Sequence, residues 1–142
     1  MSGVYGSLQA ALDARLAAWA SAATPTLEVA WENLAFTPPE DATWLRATFL
    51  PATPKQAGLG QEGWNVLKGV YQVSVFALSG EGPGPGREVA DQLINHFPRG
   101  LQLEADGVTL EISRAWRAAP QDDEMWYHLP VSLEWFAYAE NI

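Results

Sequence analysis

Two histidines and a run of acidic residues are the side chains of this chain that come nearest to a reactive or metal-binding set. Neither His96 nor His128 has a serine or an aspartate at a spacing that indicates a catalytic triad. His96 falls near the end of a predicted helix, where a histidine interacts favourably with the helix dipole. Asp122, Asp123 and Glu124 precede His128, but calcium loops place their ligands at alternate positions around a glycine turn. The pattern therefore favours surface or helix-end histidines and a solvated acidic loop.

A glycine- and proline-rich segment, residues 80–86, precedes a predicted helix and superficially resembles a phosphate-binding loop. The Walker pattern ends in Gly-Lys-Ser or Gly-Lys-Thr, whereas here Gly86 is followed by Arg87 and Glu88. The two prolines of the segment also lack the backbone N–H groups with which such a loop binds an anion. We therefore interpret the segment as a flexible connection between a strand and a helix.

Three glutamates, Glu28, Glu32 and Glu134, fall on predicted strand faces. Paired carboxylates can perform acid–base catalysis, but only inside a pocket that shifts their pKa values, and no sequence pattern marks such a pocket. We therefore expect a polar outer face of a sheet. The sequence predicts no catalytic, cofactor-binding or metal-binding residue, no cofactor and no enzyme activity.

Composition and charge exclude several classes of protein. A net charge of −9 opposes binding to a phosphate backbone, so recognition of nucleic acid is not expected. The absence of cysteine excludes disulfides, zinc–thiolate sites and cysteine nucleophiles. Neither a signal peptide nor an apolar run of the roughly 18 residues needed to span a membrane is apparent. We therefore expect a protein made in the cytoplasm, without a membrane partner.

Hydrophobic periodicity predicts two helices and six strands. The apolar spacing of three and four residues indicates helices, and alternation indicates strands. The predicted helices cover 4–22 and 87–97, and the predicted strands cover 27–34, 44–50, 64–78, 101–103, 108–112 and 126–138. This order predicts a single α+β domain over residues 1–142, with both helices packed on a largely antiparallel, mixed sheet.

Two features of the sequence indicate contacts with a protein partner. Residues 51–63 contain two prolines and three glycines, and we predict a long mobile loop that orders on contact. Several tryptophans lie at strand starts or out of phase with the core, as aromatic side chains at interfaces do, whereas Trp31, Phe49 and Trp135 are in phase and are predicted to be core. A further segment, 115–124, is predicted to be irregular. The predicted contact residues are Trp44, Trp64, Trp116, Trp126, Lys55, Gln56, Leu59 and Gln61.

Short blocks along nearly the whole chain are similar to the phage tail terminator-like proteins of long-tailed phages and prophages. The most specific blocks are GVYQVSVF at 69–76 and FPRG at 97–100. The individually weaker blocks are LAAW at 16–19, VAWEN at 29–33, FTPP at 36–39, WLRAT at 44–48, ADQL at 90–93, WY at 126–127 and LPV at 129–131. The resemblance implies an architecture and no active site.

The resemblance implies a structural protein of the virion tail, assembled in the host cytoplasm. It implies a ring, commonly a hexamer, that caps the tail tube, ends its polymerisation and presents a surface for joining the head. The implied partners are further copies of the chain, the tail tube protein and a head–tail connector protein, while DNA passes through an acidic lumen without specific binding. Two alternatives stay open: a connector or neck protein of similar fold, and a small-molecule-binding or enzymatic α+β domain with a deep pocket.

Overall fold

The computed structural model describes residues 3–52, 55–56, 64–122 and 125–140. Within these residues, two helices and eight strands follow one another along the chain. They are α1 (Val4–Ala22), β1 (Glu28–Ala30), β2 (Trp44–Pro51), β3 (Lys55–Gln56), β4 (Trp64–Leu78), α2 (Gly84–His96), β5 (Gln102–Ala105), β6 (Val108–Arg117), β7 (Gln121–Asp122) and β8 (Trp126–Glu140).

All the described strands belong to one sheet. Its order is β1-β2-β4-β8-β6-β5, with β3 paired to β4 and β7 paired to β8. The pair β1–β2 is parallel and each other described pair is antiparallel. The predicted α+β fold, with two helices on a largely antiparallel, mixed sheet, is therefore confirmed.

The centre of the sheet is the pair β4–β8, whose 15 residues pair along their whole length. Successive side chains of a strand point to opposite faces, so one set of alternate residues can be buried. Val73 lies opposite Val131 and Tyr71 opposite Leu133, and all four side chains are fully buried. The face that the alternation predicts for both strands is confirmed.

The helix α1 covers this buried face with one row of leucines. Leu8, Leu12 and Leu16, spaced four residues apart on one side of the helix, are fully buried in the same cluster as the sheet residues. Burial of each leucine contributes about 1.5–3 kcal/mol. The helix ends at Ala22, close to Pro25, as predicted. Of the helices described, none is long and apolar enough to cross a membrane.

The helix α2 packs beside α1 on the same core. It begins at Gly84, three residues before the predicted start, because a proline is accepted in the first turn of a helix. Ala90 and Leu93 are fully buried, and so is Phe97, which directly follows the helix. The Phe97 N–H donates to the carbonyl oxygens of Leu93 and Ile94 at 3.2 and 3.1 Å, which closes the last turn.

The prediction of a strand over 27–34 is wrong in extent, since β1 ends at Ala30. Asn33 has a left-handed φ of 56°, and the Leu34 N–H donates to the carbonyl oxygen of Trp31 at 3.3 Å, so the chain turns away from the sheet. Trp31 is consequently half-buried and packs against the margin of the core.

The prediction of an unstructured loop over 51–63 is also corrected in part. Pro51 is the last residue of β2, and the two residues of β3 pair with Asn65–Val66 of β4. A two-residue strand of Lys and Gln carries no alternation from which a sequence could reveal it. The remainder of this prediction lies outside the described residues.

The prediction of an irregular segment over 115–124 is wrong in part, because β6 continues to Arg117 and β7 covers Gln121–Asp122. Residues 118–120 are irregular as predicted, and residues 123–124 lie outside the described residues. The register between β6 and β8 shifts between Ile112 and Arg114, which is a β-bulge. Beyond the shift Ala115 lies opposite Leu133, so the inward positions are three residues apart rather than two. Before this point β5 and β6 pair as a hairpin, with Asp106 and Gly107 at φ values of 50° and 83° in its turn.

Gly69 allows β2, β4 and β8 to approach one another closely. A Cβ atom at this position would lie 2.5 Å from the Leu50 carbonyl oxygen, 2.8 Å from Pro51 Cα and 3.0 Å from Trp135 Cζ2. The Trp135 ring is fully buried and stacks on Phe49 with 5.4 Å between centroids. Two of the three neighbours are backbone atoms, which cannot rotate away.

We expect Gly69→Ala to lower the free energy of unfolding by about 1–3 kcal/mol, because the new methyl group forces the backbones apart. Urea denaturation measures the change. The matched control is Gly84→Ala, since a Cβ there meets no atom within 4 Å. Equal stability of Gly69→Ala and the unsubstituted protein would show that β2 can move without cost.

Candidate assembly interface

The face of the sheet opposite the helices carries an exposed apolar patch near the start of β4. Leu50 lies beside Val70, Lys68 beside Phe136, and Val66 beside Tyr138 in the strand registers. Leu50 is 46% exposed and Tyr138 is 55% exposed, although both are large apolar side chains. We call this set the open-face patch: Leu50, Val66, Lys68, Val70, Phe136 and Tyr138.

A row of stacked rings crosses the other end of the same face. Trp44, Phe76 and His128 are adjacent in register on β2, β4 and β8. Their ring centroids are 4.1 and 4.4 Å apart, with planes within 8° and 11° of parallel. The Arg46 guanidinium lies 4.9 Å from the Phe76 centroid, which adds a cation–π contact. The row therefore binds three strands together on the side that lacks helices.

The structure brings together two of the predicted contact residues. Trp44 is only 6% exposed and forms a second apolar cluster, against which half-buried Trp126 packs edge-on with 5.8 Å between centroids. Trp116 is half-buried on β6, where the Arg114 guanidinium lies 4.7 Å from its ring centroid. The backbones of Lys55 and Gln56 form β3.

The other predicted contact residues lie outside what can be described. Leu59 and Gln61 are not among the described residues, and for Trp64 only the backbone is described, as the first residue of β4. The alternation of apolar residues in the sequence did not identify the open-face patch, because Leu50 and Tyr138 occupy ordinary outward positions of their strands. The exposed fractions of these two side chains are the signal that identifies it.

His96 lies at the junction between α1 and α2, where it contacts residues of α1. The Arg15 side chain donates through Nε and Nη2 to the His96 carbonyl oxygen at 3.0 and 2.8 Å. The His96 ring stacks on Trp19 with 6.2 Å between centroids. Burial lowers the pKa of the His96 imidazole, and the neighbouring positive charge of Arg15 lowers it further.

A second polar contact joins α1 to the centre of the sheet. The Tyr71 hydroxyl donates a hydrogen bond to the Asp13 carboxylate. Burial raises the pKa of Asp13, an effect that this hydrogen bond partly offsets. Burial also raises the pKa of Tyr71, and the hydrogen bond to Asp13 adds to the increase. Both groups serve the packing of the helix on the sheet.

The glutamates considered for catalysis occupy separate places. The Glu32 carboxylate accepts the Phe49 backbone N–H at the outer side of β2. Glu134 accepts a hydrogen bond from the Ser113 hydroxyl at 3.1 Å and lies 3.5 Å from Arg114 Nε. Glu28 is exposed on β1. Among the residues that the structure describes, no group of three or more His, Cys, Asp and Glu side chains could hold a metal ion.

A surface groove of about 370 Å³ lies beside α2, between Pro85 and Gln92. We call it the α2 groove. Most of its wall is open to solvent, and Leu27, which is 8% exposed, is buried against it. The wall is formed by residues 23–27, residues 41–43 and the α2 residues Pro85, Glu88, Val89 and Gln92.

Comparison with known proteins agrees with the sequence resemblance. A family model described as phage tail terminator protein matches residues 7–135. One solved protein structure is similar at a TM-score of 0.76 and 32% sequence identity, covering 93% of this chain and 94% of that chain. No curated protein matches the sequence.

We expect His96→Gln to reduce the dependence of stability on pH. Because the pKa of His96 is lowered in the folded protein, its contribution is fully present above the ordinary value of about 6.5. It is lost as the pH falls from there through the folded-state value, since the unfolded chain then binds the proton more readily.

Urea denaturation at several pH values between about 7.5 and 5.5 measures this effect. Across this range the free energy of unfolding should fall more for the unsubstituted protein than for His96→Gln. The difference between the two slopes against pH should correspond to uptake of a fraction of one proton on unfolding. The raised pKa of Asp13 acts in the opposite sense and is present in both proteins, so it cancels in the difference. If the free energy of unfolding depended on pH equally in the two proteins, the assignment of this pH dependence to His96 would be wrong.

Proposed function

We propose, because this chain belongs to the phage tail terminator protein family, that it forms a ring on the end of the phage tail tube. The family is one of structural proteins of the virion tail, and the protein is a tail component. The ring would end polymerisation of the tube and present the surface to which the head is joined. A hexamer is the stoichiometry that we expect.

The observation that carries this proposal is the match of the family model over residues 7–135. This range includes both ends of α2, the complete strand β4 and most of α1 and β8. The match is therefore to the whole packing unit of helices and sheet, rather than to one local motif.

The exposed surface of the sheet supports an assembly role. The open-face patch leaves Leu50 and Tyr138 about half exposed to solvent. Lys68 lies within the patch, and Glu134 and Glu111 lie beside it, opposite Val70 and Phe136 in the strand registers. Contiguous exposed apolar surface of this kind is typical of a protein–protein contact. We assign the patch to the contact with the tail tube protein, together with β3 and the segment that follows it. Trp116 and Trp126 remain candidates for a neighbouring contact.

The charge of the chain supports the passage of DNA. A net charge of −9 repels a phosphate backbone, so a lumen lined by this protein would not retain DNA. Head–tail joining would bring a connector protein to the exposed side of the ring. Assembly would take place in the host cytoplasm, before the tail joins the head.

Electron microscopy of the protein mixed with its tail tube protein tests the proposal. We expect rings at the ends of tubes, and tubes that stop growing when the protein is added. Light scattering after size-exclusion chromatography measures the mass of the ring. A protein that stays monomeric at high concentration and does not decorate tube ends would contradict the proposal. Binding to a head-side connector instead of the tube would indicate a neck protein.

We expect the double variant Leu50→Ser, Tyr138→Ser to weaken decoration of tube ends by at least about tenfold. Both side chains are about half exposed, so the free energy of unfolding should change by only about 0.5–1 kcal/mol. Leu34→Ser is the matched control, because Leu34 is 66% exposed but lies outside the patch. Unchanged decoration by the double variant would exclude the patch as the tube contact.

A further inference from the structure

The α2 groove has the chemistry of a site for an arginine or lysine side chain. Pro25, Leu27 and Val89 give it an apolar surface, and Asp41 and Glu88 place two carboxylates at its wall. No basic residue belongs to this wall as the structure describes it. A long cationic side chain buries its apolar stem on such a surface while its charged end meets the carboxylates.

Arg99 is presented at the surface by a turn of fixed geometry. Phe97 is fully buried on one side of the turn, which anchors the end of α2. The Gly100 N–H donates to the Ile112 carbonyl oxygen at 2.8 Å, and the Leu101 N–H donates to the Pro98 carbonyl oxygen at 3.0 Å. Arg99 itself is exposed between these anchors. Its backbone is therefore held while its side chain extends into solvent.

The described arginines differ in whether they already have partners. Arg15 and Arg117 are held by a carbonyl oxygen and by Asp91, and Arg46 and Arg114 lie over aromatic rings. Like the side chain of Arg87, which lies on α2 itself, the side chain of Arg99 makes no hydrogen bond, ion pair or ring contact with any residue that the structure describes. Its charge is available to a partner.

The groove and Arg99 are separate sites along α2, because the groove wall ends at Gln92 and Arg99 follows the end of the helix at His96. The helix has 13 residues, which corresponds to about 20 Å at 1.5 Å per residue. A head-to-tail contact between identical subunits requires two different surfaces on each copy. Repetition of such a contact closes a ring when the rotation between neighbouring subunits equals a full turn divided by a whole number of subunits.

Charge also favours a second copy as the occupant of the groove. Copies that each carry −9 repel one another, and a contact that brings one of the few cations onto carboxylates offsets this repulsion. We infer that Arg99 of each subunit inserts into the α2 groove of the next, between Asp41 and Glu88, and thereby fixes the direction of the ring. This inference rests on the proposed ring function and identifies its subunit contact.

Charge reversal on each side of the contact tests the inference. The knob variant is Arg99→Glu, and the groove variant combines Asp41→Asn with Glu88→Arg. All three side chains are exposed, so both proteins should keep the melting temperature of the unsubstituted chain. Each variant alone should lose rings, both in light scattering and at tube ends, with at least a tenfold higher concentration needed for assembly.

A mixture of the two variants should recover rings. In an alternating ring, Glu at position 99 of the knob variant meets the basic groove of the groove variant, while Arg99 of the groove variant meets the native groove of the knob variant. Every contact is then complementary, and only even-numbered rings can form. The control is Arg87→Glu, which makes the same charge change at an exposed site of α2 outside the groove wall and should leave assembly intact.

The outcomes separate this inference from the ring proposal. If the unsubstituted protein forms no ring, alone or on tubes, both proposals fall. Normal rings from Arg99→Glu would overturn the Arg99 contact alone, and so would loss of rings by Arg87→Glu, since net charge would then explain the effect. Recovery of dimers rather than rings in the mixture would overturn the head-to-tail arrangement.

Discussion

The full-length pairing of β4 with β8 is the interaction on which the rest of this structure depends. Its 15 residue pairs supply alternating inward side chains at a constant spacing, and both helices pack onto the surface that they form. β2 and β6 extend that surface by pairing on either side of the two central strands. Gly69 sets how closely the three strands at this end can approach, because Trp135 and the β2 backbone occupy the space of a side chain.

The same pairing produces the opposite face, where the candidate contacts lie. Each inward residue of a strand fixes its neighbours outward, so burial of Tyr71 places Val70 and Gln72 on the side without helices. At one end of that side, the outward-facing rings stack on one another within the chain. At the other end Leu50 and Tyr138 remain in solvent. A candidate contact surface thus follows from the requirements of the core.

Much of this could be predicted from the sequence, because periodicity is a local property. The alternation in β4 and the leucine spacing in α1 predict both elements and their buried faces. Three features were not predicted, two of them because they depend on pairing with distant parts of the chain and one because a left-handed backbone is only one of the conformations open to an asparagine. The bulge between Ile112 and Arg114 hides the period of β6, Asn33 ends β1 by its backbone conformation, and β3 exists only through its pairing with β4. The α2 groove is formed by three separate segments and likewise has no signature in any one of them.

The carboxylate of Glu32 has a consequence for how copies of this chain can meet. β1 ends at Ala30, while β2 continues to Pro51 and would offer its backbone to a foreign strand. Glu32 already accepts the Phe49 N–H, and Pro51 has no N–H to offer. This edge is therefore blunted and resists pairing with the edge of a second sheet. A contact between copies at this place would have to be made by side chains rather than by a shared sheet.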